Sequence, residues 1–169
     1  IPGGGSPDMG NVTADGKDVK SVVFVQCAGQ RGSGGNGSGE HLEYCSGHCC
    51  ATSIKQAMYF KDANPAVDTT IIYTDLRTPG NGEDFYRSAQ EKGVIFTKGK
   101  VSQVDATGSH STVRFRDLIL DEETALDADL VVLATGQVPN SGVNIELPDE
   151  DPELGTCPVA STTRSASSA

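Results

Sequence analysis

Tryptophan is absent from this 169-residue chain, and five Phe and four Tyr are its only aromatic residues. With 36% hydrophobic residues, a core must be small and mostly aliphatic. Positive charge is also scarce. Thirteen Lys and Arg stand against 23 Asp and Glu, a formal net charge of −10. That balance excludes the basic surfaces needed for nucleic acid or an anionic membrane face. No stretch approaches the ~20 apolar residues that cross a bilayer, so direct membrane insertion is not expected. Ile1-Pro2-Gly3-Gly4-Gly5 has neither the basic start nor the apolar centre of a signal peptide. The chain does not begin with Met, and reads as an excerpt or a processed product. One short motif is missing as well: a C-x-x-C.

What is present begins with Ser21-Val22-Val23-Phe24-Val25, a continuous apolar run of the kind buried on both faces of a parallel sheet. Residues 1–19 before it are rich in Gly, Pro, Asp and Asn and are expected to be linker or frayed end. After a Gly/Ser segment, Ala51, Ile54, Ala57, Met58 and Lys61 follow helical spacing, with Ser46 as the expected N-cap and Asn64-Pro65 as the stop. A second strand is expected over 67–77, and a second helix over 83–93 with Phe85, Tyr86 and Ala89 inward and Gly93 closing it. Three more strands follow over 94–106, 110–120 and 126–136, the first two joined by a hairpin at Ala106-Thr107-Gly108-Ser109. Strands alternating with helices imply right-handed crossovers and an α/β fold, a parallel sheet with an antiparallel hairpin appendage. The domain is expected to run over 20–147. An acidic, then Ser/Thr-rich tail over 148–169 is expected to lack structure.

The first strand-to-helix turn carries the chemistry. Ligands of open α/β sheets gather at the carboxyl ends of strands. Here the stretch 26–50 holds four of the five cysteines and seven of the twenty glycines. A dinucleotide fold would place its glycine fingerprint at this turn. Cys27 stands where the tight-turn glycine belongs; Gly32, Gly34 and Gly37 match the spacing, but inside the Gly/Ser insertion and away from that turn, and Gly29, Gly35 and Gly39 add nothing to it. Asp75 and Arg77 end the second strand, where such a fold reads ribose; without the fingerprint at the turn itself they read as loop polar residues.

The cysteines run Cys27, seventeen residues, then Cys45-x-x-x-Cys49-Cys50. A helix N-terminus favours thiolate over thiol, and four thiolates are the usual complement of an iron–sulfur cluster. Gly-rich backbone leaves N–H groups free to meet the cluster's sulfides. Zinc competes, since Cys45-x₃-Cys49 fits a zinc pair and His41 or His48 could join, although the adjacent Cys49-Cys50 strains one tetrahedron. Thiol redox chemistry and plain buried cysteines remain open too. Tyr44 reads as loop packing, His41, His48 and His110 as surface residues, Arg31 and Lys55 as groups able to tune a cluster, and Cys157 as a free thiol.

Four stretches together resemble one family: VVFVQCAG, YCSGHCCATSIKQA, IIYTDLRTPGNGEDFYRSAQEKGVIFTKGKV and DLVVLATGQVPN. They are similar to the family of heterodisulfide reductase A subunits and its relatives in the quinone-interacting membrane-bound oxidoreductase complex, over roughly Val22 to Asn140. The resemblance implies a thioredoxin-reductase-like flavoprotein, with this chain matching its second, NAD(P)H-domain-like part: a Rossmann-like, FAD/NAD(P)-binding fold. It implies Cys27, Cys45, Cys49 and Cys50 as ligands of an iron–sulfur cluster of the 4Fe-4S kind, and Ala134, Thr135, Gly136 and Pro139 as the crossover that passes close to the flavin. FAD is expected in the intact parent and not in this stretch alone, because the flavin's own motifs are absent. The implied partners are other subunits of a heterodisulfide-reductase-like or quinone-linked complex, in the cytoplasm or peripheral to a membrane complex. The alternatives are a zinc-stabilised or metal-free interaction module on a degenerate Rossmann fold, and a working NAD(P)H-binding domain.

Overall fold

A computed structural model describes residues 13–14, 17–32, 42–108 and 110–137. Within the expected N-terminal linker, β1 (Thr13–Ala14) and β2 (Lys17–Asp18) form a short antiparallel pair. The tail over 148–169 lies outside the described residues.

The apolar run becomes β3 (Ser21–Val25). It lies between β4 (Asp68–Tyr73) and β8 (Leu130–Leu133), parallel to both. A strand with two neighbours and two covered faces has no polar side, which explains its unbroken hydrophobicity. Val22 and Phe24 face one layer; Val23 and Val25 face the other. On the first face lie α1 (Cys49–Ala63) and α2 (Gly82–Glu91). Ile54, Ala57, Met58 and Phe60 of α1 join Ala89 of α2 and Ile71 of β4 there, and Phe24 meets Phe60 edge-on with ring centres 6.1 Å apart. Lys61 and Ala51 are half-buried at the margin of that face. Asn64 leaves helical geometry just before Pro65, as expected, and Gly93 follows α2 with φ of 86°.

The second face is covered by strands. β5 (Ile95–Thr107) first runs parallel to β4, from Ile95 to Lys98, then pairs antiparallel with β6 (His110–Asp117) from Gly99 onward. β7 (Glu122–Ala128) completes a three-stranded meander. Val113, Phe115 and Ala128 from this meander bury Val23, Val25 and Ile72. The six-stranded sheet has the order β7-β6-β5-β4-β3-β8. The α/β class, the parallel core, the hairpin at 106–109 and the return of Val131-Val132-Leu133 to the sheet all agree with the sequence reading. No helix among the described residues is long and apolar enough to cross a membrane.

Strand boundaries differ from the expectation. β4 stops at Tyr73, and 74–77, expected to extend it, are loop. Carboxylates explain two further differences. The apolar Leu118-Ile119-Leu120 does not extend β6. Asp117 Oδ1 accepts from the N–H groups of Ile119 and Leu120 at 2.7 and 2.9 Å, an Asx-type turn that outcompetes strand pairing and leaves Ile119 and Leu120 exposed. The expected single strand over 126–136 is two strands, divided at Asp129. Its Oδ2 accepts from Lys20 N at 2.8 Å and Ser21 N at 3.0 Å, while Asp129 N donates to Ser21 O at 3.1 Å. That clasp ends the chain's pairing with β6 and begins its pairing with β3.

The Lys20 and Ser21 N–H groups hold the Asp129 carboxyl below its ordinary pKa. A depressed folded-state pKa means the unfolded chain binds more protons. The clasp therefore stabilises above the ordinary carboxylate pKa near ~4 and is lost as pH falls through the depressed value. Asp129→Ala is expected to cost about 1–3 kcal/mol at pH 7. Thermal unfolding should show the gap to wild type closing as pH falls below the ordinary carboxylate range; a gap independent of pH contradicts the assignment.

Candidate metal centre

The turn after β3 keeps one more sheet bond, Gln26 N to Ile72 O at 3.0 Å, and then reverses. Cys27 takes φ of 58°, the left-handed region that L-residues avoid at a cost of about 1–2 kcal/mol. A cysteine thus occupies both the sequence position and the backbone conformation of a turn glycine. Ala28 N donates to Ala134 O at 3.0 Å, which ties the turn to the segment following β8. Gly29 lies hard against that segment, and a Cβ there would meet the Thr135 carbonyl oxygen at 2.6 Å.

The long insertion does not carry the helix away from the strand. Leu42 N donates to Gly29 O at 3.1 Å and Gly32 N to Leu42 O at 3.3 Å, so the stretch 33–41 leaves and returns at one place. His41 and the glycines from Gly34 to Gly39 lie outside the described residues, as do Pro139 and Cys157. This closure delivers Cys45 back beside the Cys27 turn, and α1 then begins with Cys49 and Cys50. Ser46 is not the N-cap. His48 holds that position without a side-chain cap bond, and its Nδ1–H donates to Ser46 O at 2.6 Å. Ser46 Oγ is instead 3.2 Å from Cys49 Sγ.

Backbone donors reach two of the sulfurs. Gly47 N donates to Cys45 Sγ at 3.4 Å and Arg77 N to Cys50 Sγ at 3.5 Å. Cys50 is buried; Cys27, Cys45 and Cys49 are half-buried. Burial pushes the Cys27 thiol up, with the Arg31 guanidinium opposing it and Cys50 and Cys45 adding to it. Burial also raises Cys50, opposed by the Arg77 N–H and reinforced by Cys45 and Cys49. Cys45 and Cys50 thus lie within electrostatic reach of Cys27, and Cys45 and Cys49 within reach of Cys50. Metal binding there must displace protons from thiols that burial keeps neutral.

Cys27, Cys45, Cys49 and Cys50 supply four thiols, a donor set common to a sulfur cluster and a zinc ion. Among the described residues, no three His, Cys, Asp or Glu side chains are gathered to hold one metal ion. Two buried polar groups beside Cys27 also await partners among the described residues: both carboxamide atoms of Gln26, and Arg31 Nη1. Unpaired buried polar groups are costly, and N–H donors flanking a thiolate are what an anionic sulfur cluster accepts from.

Asp75 is not free to read a ribose. Its Oδ2 accepts from Arg31 Nη2 at 2.5 Å, which holds the Asp75 carboxyl below its usual pKa. That engagement and the cysteine at the tight turn both speak against a dinucleotide at this turn. Ala134, Thr135 and Gly136 line a cleft of about 240 Å³ together with Cys49 and His48. A second cleft, of about 420 Å³, opens on the other side of the turn between Arg31 and the β5 bulge near Gln103. Lys55 lies over the Tyr59 ring, and His110 Nδ1 sits 3.0 Å from Asp129 Oδ1 at the far end of β3, so neither serves this site. Composition and spacing did not single out Gln30, although it is 3% exposed and fastens three segments of the site. Only its place three residues after Cys27 hinted at it.

Comparison with known proteins gives a consistent answer. No family model matches the chain. The A subunit of the ferredoxin:CoB-CoM heterodisulfide reductase of Methanosarcina acetivorans is 38% identical over 126 residues, 73% of this chain and 15% of that protein. The iron-sulfur A subunit of the CoB–CoM heterodisulfide reductase of Methanocaldococcus jannaschii is 39% identical over 130 residues, 75% of this chain and 19% of that protein. This chain is a relative of the heterodisulfide reductase A subunits. It spans less than a fifth of the length of these two relatives. Among solved structures, T. acidophilum thioredoxin reductase aligns at TM-score 0.45 and 16% identity, over 72% of this chain and 32% of that one.

Gly29→Ala tests the contact on which the turn depends. The added methyl group must move backbone, so a loss of about 1–3 kcal/mol is expected. Circular dichroism melts of the metal-free chain measure it, and an unchanged Tm would show that the turn is not pinned to Thr135.

Proposed function

We propose that this domain is an electron-transfer module of a flavin and iron–sulfur oxidoreductase of the heterodisulfide reductase type, matching part of its A subunit. Cys27, Cys45, Cys49 and Cys50 hold a 4Fe-4S cluster, which supplies one-electron exchange when bound. The observation that carries the reading is one closed strand-to-helix turn with Cys27 at its start and Cys45, Cys49 and Cys50 at its end. The name of the Methanocaldococcus relative, which calls it iron-sulfur, supports it.

The chain's own residues have separate tasks in this reading. The left-handed Cys27 turn and the first turn of α1 aim thiols from two segments at one volume. The N–H groups of Gly47 and Arg77 stabilise thiolate sulfur by hydrogen bonding, and Arg31 adds positive charge beside Cys27. Ala134, Thr135, Gly136 and Pro139 form the crossover that approaches FAD in the intact parent. The parent passes electrons toward a disulfide, in company with other subunits of a heterodisulfide-reductase-like or quinone-linked complex in the cytoplasm. Nicotinamide binding is disfavoured by the engaged Asp75.

Anaerobic reconstitution with iron and sulfide is expected to give a brown protein with about four iron and four sulfide per chain, a Cys₄ cubane's complement. Reduction should produce an EPR signal. Cys45→Ser should lose most of the colour and signal. A colourless sample carrying stoichiometric zinc would sink the proposal.

A further inference from the structure

Gln30 joins three pieces of chain through one side chain. Its Nε2 donates to Gln137 O at 3.2 Å, and its Oε1 accepts from Ser46 N at 3.0 Å. Its backbone lies in the bridge that closes the insertion at Leu42. The carboxamide is buried, and Gly136 is shaped around it: a Cβ at that position would overlap the Gln30 side chain at 2.1 Å. One end of the carboxamide thus holds the peptide unit next to Cys45. The other end holds the carbonyl of Gln137, one residue after Gly136. Both bonds are needed, because a buried carboxamide that loses either partner is left with an unsatisfied polar atom.

Among the described residues, no three thiols are gathered around one point. A cluster held by Cys45 would bear on the Cys45-Ser46-Gly47 loop, whose Ser46 N–H Gln30 holds. We infer that Gln30 is a positioning residue that transmits this constraint from the Ser46 N–H to the Gln137 carbonyl, so that filling the cysteine site sets the conformation of the 133–137 crossover. The inference rests on the cluster reading above and adds a physical link between the metal turn and the segment facing the 240 Å³ cleft. Tyr44 also approaches Gln137 O, but at 3.5 Å and from an exposed position, and cannot carry the same constraint.

Hydrogen exchange of the 133–137 backbone, read by mass spectrometry on the anaerobic 169-residue chain before and after reconstitution with iron and sulfide, tests this. In wild type, loading is expected to change exchange in 133–137 about fivefold, the low end of typical site-to-site coupling. Gln30→Glu keeps an acceptor for Ser46 but sets a carboxylate oxygen against Gln137 O. It should still bind iron and lose the response. Gln30→Met, which fills the space without either bond, should lose it too, and Tyr44→Phe should keep it. Because the readout is a loaded-minus-unloaded difference, a simple loss of stability does not imitate the result. A loaded wild type with unchanged exchange in 133–137, or a loaded Gln30→Glu chain that responds like wild type, overturns the coupling. An iron-free wild type overturns the cluster reading and the coupling with it.

Discussion

Ala28 donates its N–H to the Ala134 carbonyl oxygen, and Gly29 lies where any side chain would strike Thr135 O. This contact between two backbones orders the rest of the site. It requires β8 to run parallel beside β3, so that the two strands end at the same level. It requires Cys27 to adopt a left-handed conformation, so that Ala28 and Gly29 reach the neighbouring chain segment. And it places the Leu42 bridge, which accepts the far end of the insertion, against the same turn. The cysteines are brought together by sheet topology; no local motif could do so across seventeen intervening residues.

Electrostatics at the turn run against the character of the whole chain. A net charge of −10 would repel an anionic cluster with its thiolates. Arg31 answers this locally. It is held by Asp75 at one end and acts on Cys27 at the other, with its guanidinium partly covered. The Arg31–Asp75 pair contributes little as a surface ion pair, since the Asp75 side chain is 57% exposed. Its effect is positional: it fixes a cation next to a sulfur that burial otherwise keeps protonated.

The sequence disclosed much of this, for identifiable reasons. Val22 to Val25 could only be a strand covered on both faces, and Ile54, Ala57 and Met58 could only be one face of a helix. The cysteine set was visible because clustered thiols are rare. The divisions at Asp117 and Asp129 were not legible, because each depends on which N–H groups a carboxylate finds, and in the case of Asp129 they lie 108 and 109 residues away. Ser46 was read as a cap because it precedes a helix at a plausible distance. Its N–H serves Gln30 and its hydroxyl serves Cys49. Gln30 was invisible for the same reason as Asp129: a glutamine carries no periodicity, and its partners at Ser46 and Gln137 meet only once the insertion has closed.

Glycine and cysteine share this stretch because the two demands are geometrically compatible. A phosphate-binding turn needs backbone N–H groups turned outward and a chain that can approach its ligand closely. A sulfur cluster needs the same uncovered N–H groups, together with thiols in place of a helix dipole aimed at phosphate. Here the close-approach glycine survives as Gly29, but its neighbour is another segment of the chain and not a pyrophosphate. The turn glycine has become Cys27 and kept its conformation. The acid that would take a ribose holds Arg31. The positions that a dinucleotide turn gives to its ligand are thus occupied here by contacts within the chain.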